Sequence, residues 1–232
     1  MCLAAFAIGV HTHFPLVIAA NRDEFYARPS AAIARWPDAP QVIGGLDLEA
    51  GGTWLGLTES GRFAAVTNVR EPGMAKGVVS RGSLTRNFLT ADTPALTYAE
   101  GIAPDRYSGF NLLLADSESL VYCSNRDGRP RTLQPGIYGL SNHLLDSPWP
   151  KLLAARQAFA EALPSLPDET TFFDMLADQC IVPDANLPRT GVSIEWERLL
   201  SAVFVKSENY GTRASTVVWQ RSDGCVTIHE RS

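Results

Sequence analysis

Cys2 is the residue best placed for covalent chemistry in this chain. Removal of an initiator methionine ahead of a small residue would leave a thiol and a free α-amine on one residue. An α-amine with a pKa of about 7.7 to 8 accepts a thiol proton near neutral pH, so the two groups form a nucleophile with its own base. A cysteine at this position also reads as a small apolar residue opening a buried strand. What separates the readings is the company the chain supplies at the ends of its strand-like runs. These ends carry Asn21-Arg22-Asp23-Glu24, Asn68 with Arg70, Asn142 with His143, and Tyr210-Gly211-Thr212-Arg213. Singly, each is the solvated exit of a buried strand. Together they offer a carboxylate to orient an amine, side-chain amides for an oxyanion and guanidinium groups for an anionic substrate.

The elements that must position these groups are legible in outline. Residues 3 to 10 and 16 to 20 are apolar runs separated by the turn-rich HTHFP, a β-hairpin with Cys2 at its open end. The stretch from Pro29 to Pro40 reads as irregular, and the glycine pairs at 44–45 and 51–52 punctuate short strands. Residues 62 to 69 form another strand. Helices are expected from Ser80 to Ala91 and from Pro94 to Gly101, and a strand pair at 110–115 and 120–124. A further short strand runs over residues 136–142. A helix starts at Ser147 and Pro148, with Leu152, Ala155, Phe159 and Leu163 on one face. Phe172, Phe173, Leu176 and Cys180 make a second stripe, read as core. Strands at 212–219 and 225–229 flank the turn Ser222-Asp223-Gly224. Sheets this apolar need cover on both faces, which predicts two stacked sheets flanked by helices in one domain, residues 1–232.

Composition narrows the function. The 232 residues include 45 % hydrophobic and 19 % charged side chains, with a formal net charge of -5. That average field disfavours nucleic acid as a partner. No apolar run reaches the roughly 18 residues of a transmembrane segment. Four cysteines at 2, 123, 180 and 225, without CxxC spacing, point to a reducing, cytoplasmic setting. No metal-ligand cluster and no HExxH are present.

Eight short motifs run in order along nearly the whole chain: Met1-Cys2, Asn21-Arg22-Asp23-Glu24, GGTWLG at 51–56, Thr67-Asn68-Val69-Arg70, Ser80-Arg81-Gly82, Gly109 to Leu113, Tyr138 to Asn142, and Tyr210 to Arg213. In these it resembles the NRDE, or transport and Golgi organisation protein 2, family. The resemblance implies an α+β fold, a four-layer αββα sandwich of two mainly antiparallel sheets, as in N-terminal nucleophile hydrolases. The chain is also similar to the branch of that superfamily containing choloylglycine hydrolases and penicillin V acylase. That likeness implies Cys2 as nucleophile, Asp23 holding its amine, and Asn142 with Asn68 at the oxyanion. It also implies that Arg213 polarises the cysteine or meets a substrate carboxylate. The branch's Arg-Asn-x-Asp is Ala20-Asn21-Arg22-Asp23 here, so the arginine stands two residues later, on the same face of a strand.

Two functions follow. The first is hydrolysis of a small amide or thioester by Cys2, Asp23, Asn68, Asn142 and Arg213, requiring no cofactor. Its substrate-facing residues would be Asn21, Arg22, Glu24, Arg70, Arg81, His143 and Tyr210. The second, which the family resemblance implies, is binding and trafficking of haem or acyl-CoA and other lipids without chemistry. Haem would take an axial ligand from His143, with His11, His13 and Cys2 as other candidates. For acyl-CoA, Arg22, Arg70, Arg81 and Arg213 would meet the phosphates.

Overall fold

In the computed structural model, which describes residues 3–232, alternation of apolar side chains along the strands generates four layers. The first half runs β1 (Leu3–Ile8), β2 (Leu16–Phe25), β3 (Ser30–Trp36), β4 (Ala39–Asp47), β5 (Leu55–Thr58) and β6 (Phe63–Asn68). Helices α1 (Gly82–Leu89) and α2 (Ala95–Glu100) follow, then β7 (Phe110–Ala115), β8 (Leu120–Ser124), β9 (Arg131–Thr132) and β10 (Gly136–Leu140). The chain closes with α3 (Pro150–Ala162), α4 (Thr170–Leu176), α5 (Ile194–Leu199), β11 (Tyr210–Gln220) and β12 (Val226–Arg231). Five strands form one antiparallel sheet in the order β10-β1-β2-β11-β12, and seven form the other in the order β3 to β9.

Side chains two residues apart share a face, so each central strand serves two cores. Ala4, Phe6, Ile18, Ala20 and Val218 of the five-stranded sheet meet Leu55, Leu57, Phe63, Ala65 and Leu113 of the seven-stranded sheet. On the far side of the first sheet, Leu3, Ala5, Val17, Ala19 and Val217 pack under Leu152, Ala155, Phe159, Phe172 and Leu176 of α3 and α4. On the far side of the second, Ala64, Val66, Leu112 and Leu114 lie against Leu84, Phe88 and Leu89 of α1 and Ala95 and Ala99 of α2. This is the expected αββα sandwich.

Three local expectations are corrected. Residues 30 to 40 are not irregular. They contain β3, an edge strand, and the turn into β4, with Pro29 ahead of β3, Pro37 in the turn and Pro40 second in β4, where a missing N–H is tolerated. The helix expected at Ser147 starts at Pro150, because the Ser147 hydroxyl donates to Leu144 O (2.6 Å) instead of capping. The second apolar stripe ends with α4 at Leu176, which leaves Cys180 exposed beyond it.

Candidate functional site

The register of the five-stranded sheet brings several polar segments to one end. Leu3 pairs with Asn21 and Ala4 with Leu140, so the start of β1 lies between the end of β2 and the end of β10. β11 begins at this end as well, with Thr212 opposite Asp23. Cys2 lies outside the described residues and is covalently joined to Leu3 at this position in the chain. From the other sheet β6 ends here at Asn68.

A buried polar seam joins the sheets behind this end. Thr67 Oγ1 donates to Ser141 O (2.9 Å), and Asn111 Nδ2 donates to Thr67 Oγ1 (3.0 Å) and His143 O (2.8 Å). Tyr122 donates its hydroxyl to Asn111 Oδ1 (3.0 Å). Asn142, 4 % exposed, donates through Nδ2 to Asn68 Oδ1 (2.9 Å), and its carbonyl accepts from Arg70 N (2.8 Å). Buried amides need all their partners, so this network holds the two asparagines in one arrangement. Among the described residues the Asn68 Nδ2 makes no hydrogen bond, and Asn68 lines the adjoining cleft.

That cleft has a volume of about 560 Å³. Its walls include Arg22, Asp23 and Glu24 from β2, Trp54, Arg70, and Arg81 with Gly82 at the start of α1. Lys76 comes from the loop at 71–79. Arg22, only 5 % exposed, lies over the Trp54 ring (4.3 Å to its centroid) and 4.0 Å from Glu24. Arg70 forms an ion pair with Glu197 (3.0 Å), and Arg81 donates to Gly109 O (3.2 Å). On one wall Arg28 pairs with Asp47 (2.8 Å) and Glu49 (3.1 Å). Burial alone would raise the Asp47 carboxyl, but hydrogen bonds from Arg28 and from the Ala50 and Glu49 amides outweigh it and hold it below its ordinary range. Asp23, 5 % exposed, accepts from Thr212 Oγ1 at 2.6 Å.

Four residues expected at the site stand elsewhere. Asn21 is fully buried, donating to Leu176 O (2.8 Å) and Val203 O (2.9 Å) and accepting from Ser215, so it ties β2 to the helical layer. His143 is exposed, 2.7 Å from Ser147 Oγ and stacked on Trp149, and is not part of the cleft wall. Tyr210 packs against Phe25 and Trp196 at ring distances of 5.0 and 5.3 Å, also off the cleft. Arg213 is displaced by a β-bulge. Thr212 pairs with Asp23 but Ala214 pairs with Arg22, so Arg213 drops out of the ladder and donates to the carbonyls of Phe25 and Arg28. His11 and His13 sit in the β1–β2 turn, at the opposite end of the hairpin from Leu3.

Sequence reasoning missed Thr212, Trp54 and Glu197. Thr212 and Trp54 stand inside the Tyr210-to-Arg213 and GGTWLG motifs, but neither side-chain type suggested a role. Glu197 stands outside every motif.

Two sheets packed face to face, each covered by helices, with the start of β1 among polar strand ends, define the N-terminal nucleophile hydrolase-like fold. Two solved structures share it at low sequence identity. One is the Caenorhabditis elegans N-acylethanolamine-hydrolyzing acid amidase ortholog, with a TM-score of 0.58, 15 % identity, and coverage of 98 % of this chain and 100 % of that one. The other is a mutant conjugated bile acid hydrolase from Clostridium perfringens, with a TM-score of 0.51, 7 % identity, and coverage of 99 % and 92 %. The chain belongs to the transport and Golgi organisation 2 family, whose model matches residues 1–232. It is 40 % identical to the transport and Golgi organization protein 2 homolog of Bos taurus over 241 residues, covering 94 % of this chain and 87 % of that protein. It is 30 % identical to the Drosophila melanogaster protein over 247 residues, covering 94 % and 86 %. No described helix is long and apolar enough to cross a membrane.

Proposed function

We propose that this chain is an N-terminal cysteine hydrolase acting on a small amide or thioester that carries an anionic group. The observation that supports it is the convergence, at the end of β2 next to Leu3, of a fixed carboxylate and an ordered pair of side-chain amides beside an arginine-lined cleft. The two structural neighbours are, by their descriptions, an acid amidase and a conjugated bile acid hydrolase.

With Met1 removed, the Cys2 α-amine takes the thiol proton and sulfur attacks the carbonyl carbon. The Asn68 Nδ2 donates to the resulting oxyanion, with Asn142 orienting it from behind. Collapse of the tetrahedral intermediate expels the amine or thiol, which leaves with the proton held by the α-amine. Water then attacks the acyl-cysteine thioester, releasing the acid and restoring the thiol. Asp23 holds the amine in place through both steps, and Arg22, Arg70 and Arg81 favour the anionic end of the substrate.

Intact-mass measurement of protein expressed at low level tests the premise, and a screen of amides and thioesters tests the activity. The expected result is loss of Met1, preferential alkylation of Cys2, and turnover that disappears in Cys2→Ala while circular dichroism is unchanged. A retained Met1, or full turnover in Cys2→Ala, overturns the reading.

The cleft arginines also favour a second reading, in which the site binds an acyl-CoA or related lipid anion without turnover. Haem held through His143 gains no such support, since that imidazole is engaged with Ser147 and Trp149.

A further inference from the structure

The bulge in β11 changes which side chain of the Tyr210-to-Arg213 motif serves the site. In an unbroken ladder, Thr212 opposite Asp23 would be followed by Arg213 opposite Arg22. The observed register sets Ala214 opposite Arg22 and leaves Arg213 bound to main-chain carbonyls at the end of β2. Bulges commonly re-aim a side chain beside a functional site. Here the side chain that reaches a site residue is Thr212. Its hydroxyl donates to Asp23 Oδ1 at 2.6 Å and in turn accepts from Val205 N at 2.9 Å. The hydroxyl is thus held from both sides, with its one proton committed to the carboxylate.

We infer that Thr212 is a positioning residue: it fixes Asp23 in the orientation that meets the Cys2 α-amine, and so tunes that amine as a base. This rests on the hydrolase reading above. The physical reason is that a hydroxyl donating to a carboxylate favours the charged form and also restricts its rotamer. A valine in the same place keeps the β-branched shape but removes the donor. The carboxylate then loses the hydroxyl that fixes its rotamer, and the α-ammonium loses part of the opposite charge that stabilises it. The other charged groups next to Asp23 on its own strand are Arg22 and Glu24, and on β11 Arg213 is turned to the carbonyls of Phe25 and Arg28.

The test is the pH dependence of acylation of the Cys2 α-amine by acetic anhydride, read by peptide mapping on protein whose mass confirms loss of Met1. Wild type, Asp23→Asn, Thr212→Val and Thr212→Ser are compared, with thermal melts as a control for folding. An opposite charge at close range moves such a midpoint by about 1–3 units. The expected result is a lower midpoint in Asp23→Asn, a fall of about 1 unit in Thr212→Val, and the wild-type midpoint in Thr212→Ser. If Thr212→Val does not fold, Thr212→Ala takes its place, with the same fall expected. An unchanged midpoint in the folded Thr212 variant, with Asp23→Asn shifted, overturns this inference and leaves the hydrolase reading standing. An unchanged midpoint in Asp23→Asn overturns the role of Asp23 itself, and the inference with it.

Discussion

Asn142 donates from Nδ2 to the Oδ1 of Asn68 at 2.9 Å; Asn68 ends β6, and Asn142 stands two residues beyond the end of β10 in the opposite sheet. The bond therefore does two things: it ties the two sheets together beside the cleft, and it orients the Asn68 amide in the cleft wall. Removing the amide nitrogen in Asn68→Ala is expected to slow turnover about 10²- to 10³-fold, the usual cost of one oxyanion donor. Steady-state kinetics on the first substrate found checks this. A change confined to KM, with kcat intact, would assign Asn68 to binding.

Glu197 is the clearest test of how the cleft wall is held. It is 4 % exposed, pairs with Arg70 at 3.0 Å and accepts from Thr190 N and Oγ1 at 2.6 and 2.7 Å. Truncation to alanine takes the carboxylate partner from a buried guanidinium that also contacts Thr190 and Trp149, and breaking such a pair costs about 3–5 kcal/mol. Denaturant titration of Glu197→Ala is expected to show a loss of that size, and a loss below about 1 kcal/mol would mean that the Arg70 guanidinium finds water.

Gly52 sits against the start of α1. A Cβ there would come within 2.4, 2.5 and 2.7 Å of the Gly82 backbone, which has no rotamer with which to yield. Gly52→Ala is expected to cost about 1–3 kcal/mol by overpacking. Because Arg81 and Gly82 both line the cleft, affinity for an anionic ligand should fall with it. A melting temperature equal to wild type would refute the close approach.

Glu230 gives a pH-dependent prediction of opposite sign to most carboxylates. Burial raises its pKa, and the opposing bonds from Ile33 N and Thr216 and the charge of Arg22 do not cancel the rise. A raised pKa means that the fold prefers the protonated carboxyl. The group's contribution is present below its unfolded value and is lost as pH rises through the folded one. Glu230→Gln keeps an acceptor for the Ile33 amide without the charge. It is expected to raise the denaturation midpoint at pH 7 and to leave it unchanged near pH 4, as measured by parallel urea titrations. A lower midpoint at pH 7 would show that attraction to Arg22 dominates.

Much of the fold was legible because it rests on local periodicity. Short apolar runs at 110–115 and 120–124 around Asp116-Ser117-Glu118 mark strands buried on both faces, and the observed β7 and β8 have those bounds. Leu152, Ala155 and Phe159 recur on one helical face, and α3 buries that face. Prolines misled the reading at 29–40, because Pro29 and Pro37 stand outside β3 and Pro40, second in β4, has no partner in the ladder, so no strand hydrogen bond is lost.

The sequence by itself determined the family motifs, the αββα layering and the types of group gathered at the strand ends, because apolar period and residue chemistry are properties of the chain alone. Tertiary structure decided which of those groups share a cleft. Asn21 and Asp23 are two residues apart on one strand, yet one is consumed by helix-layer carbonyls and the other lines the cleft. Arg213 and Thr212 are adjacent, and a single extra residue in the β11 ladder turns the arginine to main-chain carbonyls and the threonine to Asp23. Strand register and long-range hydrogen bonds set those outcomes, and both depend on segments nearly two hundred residues away.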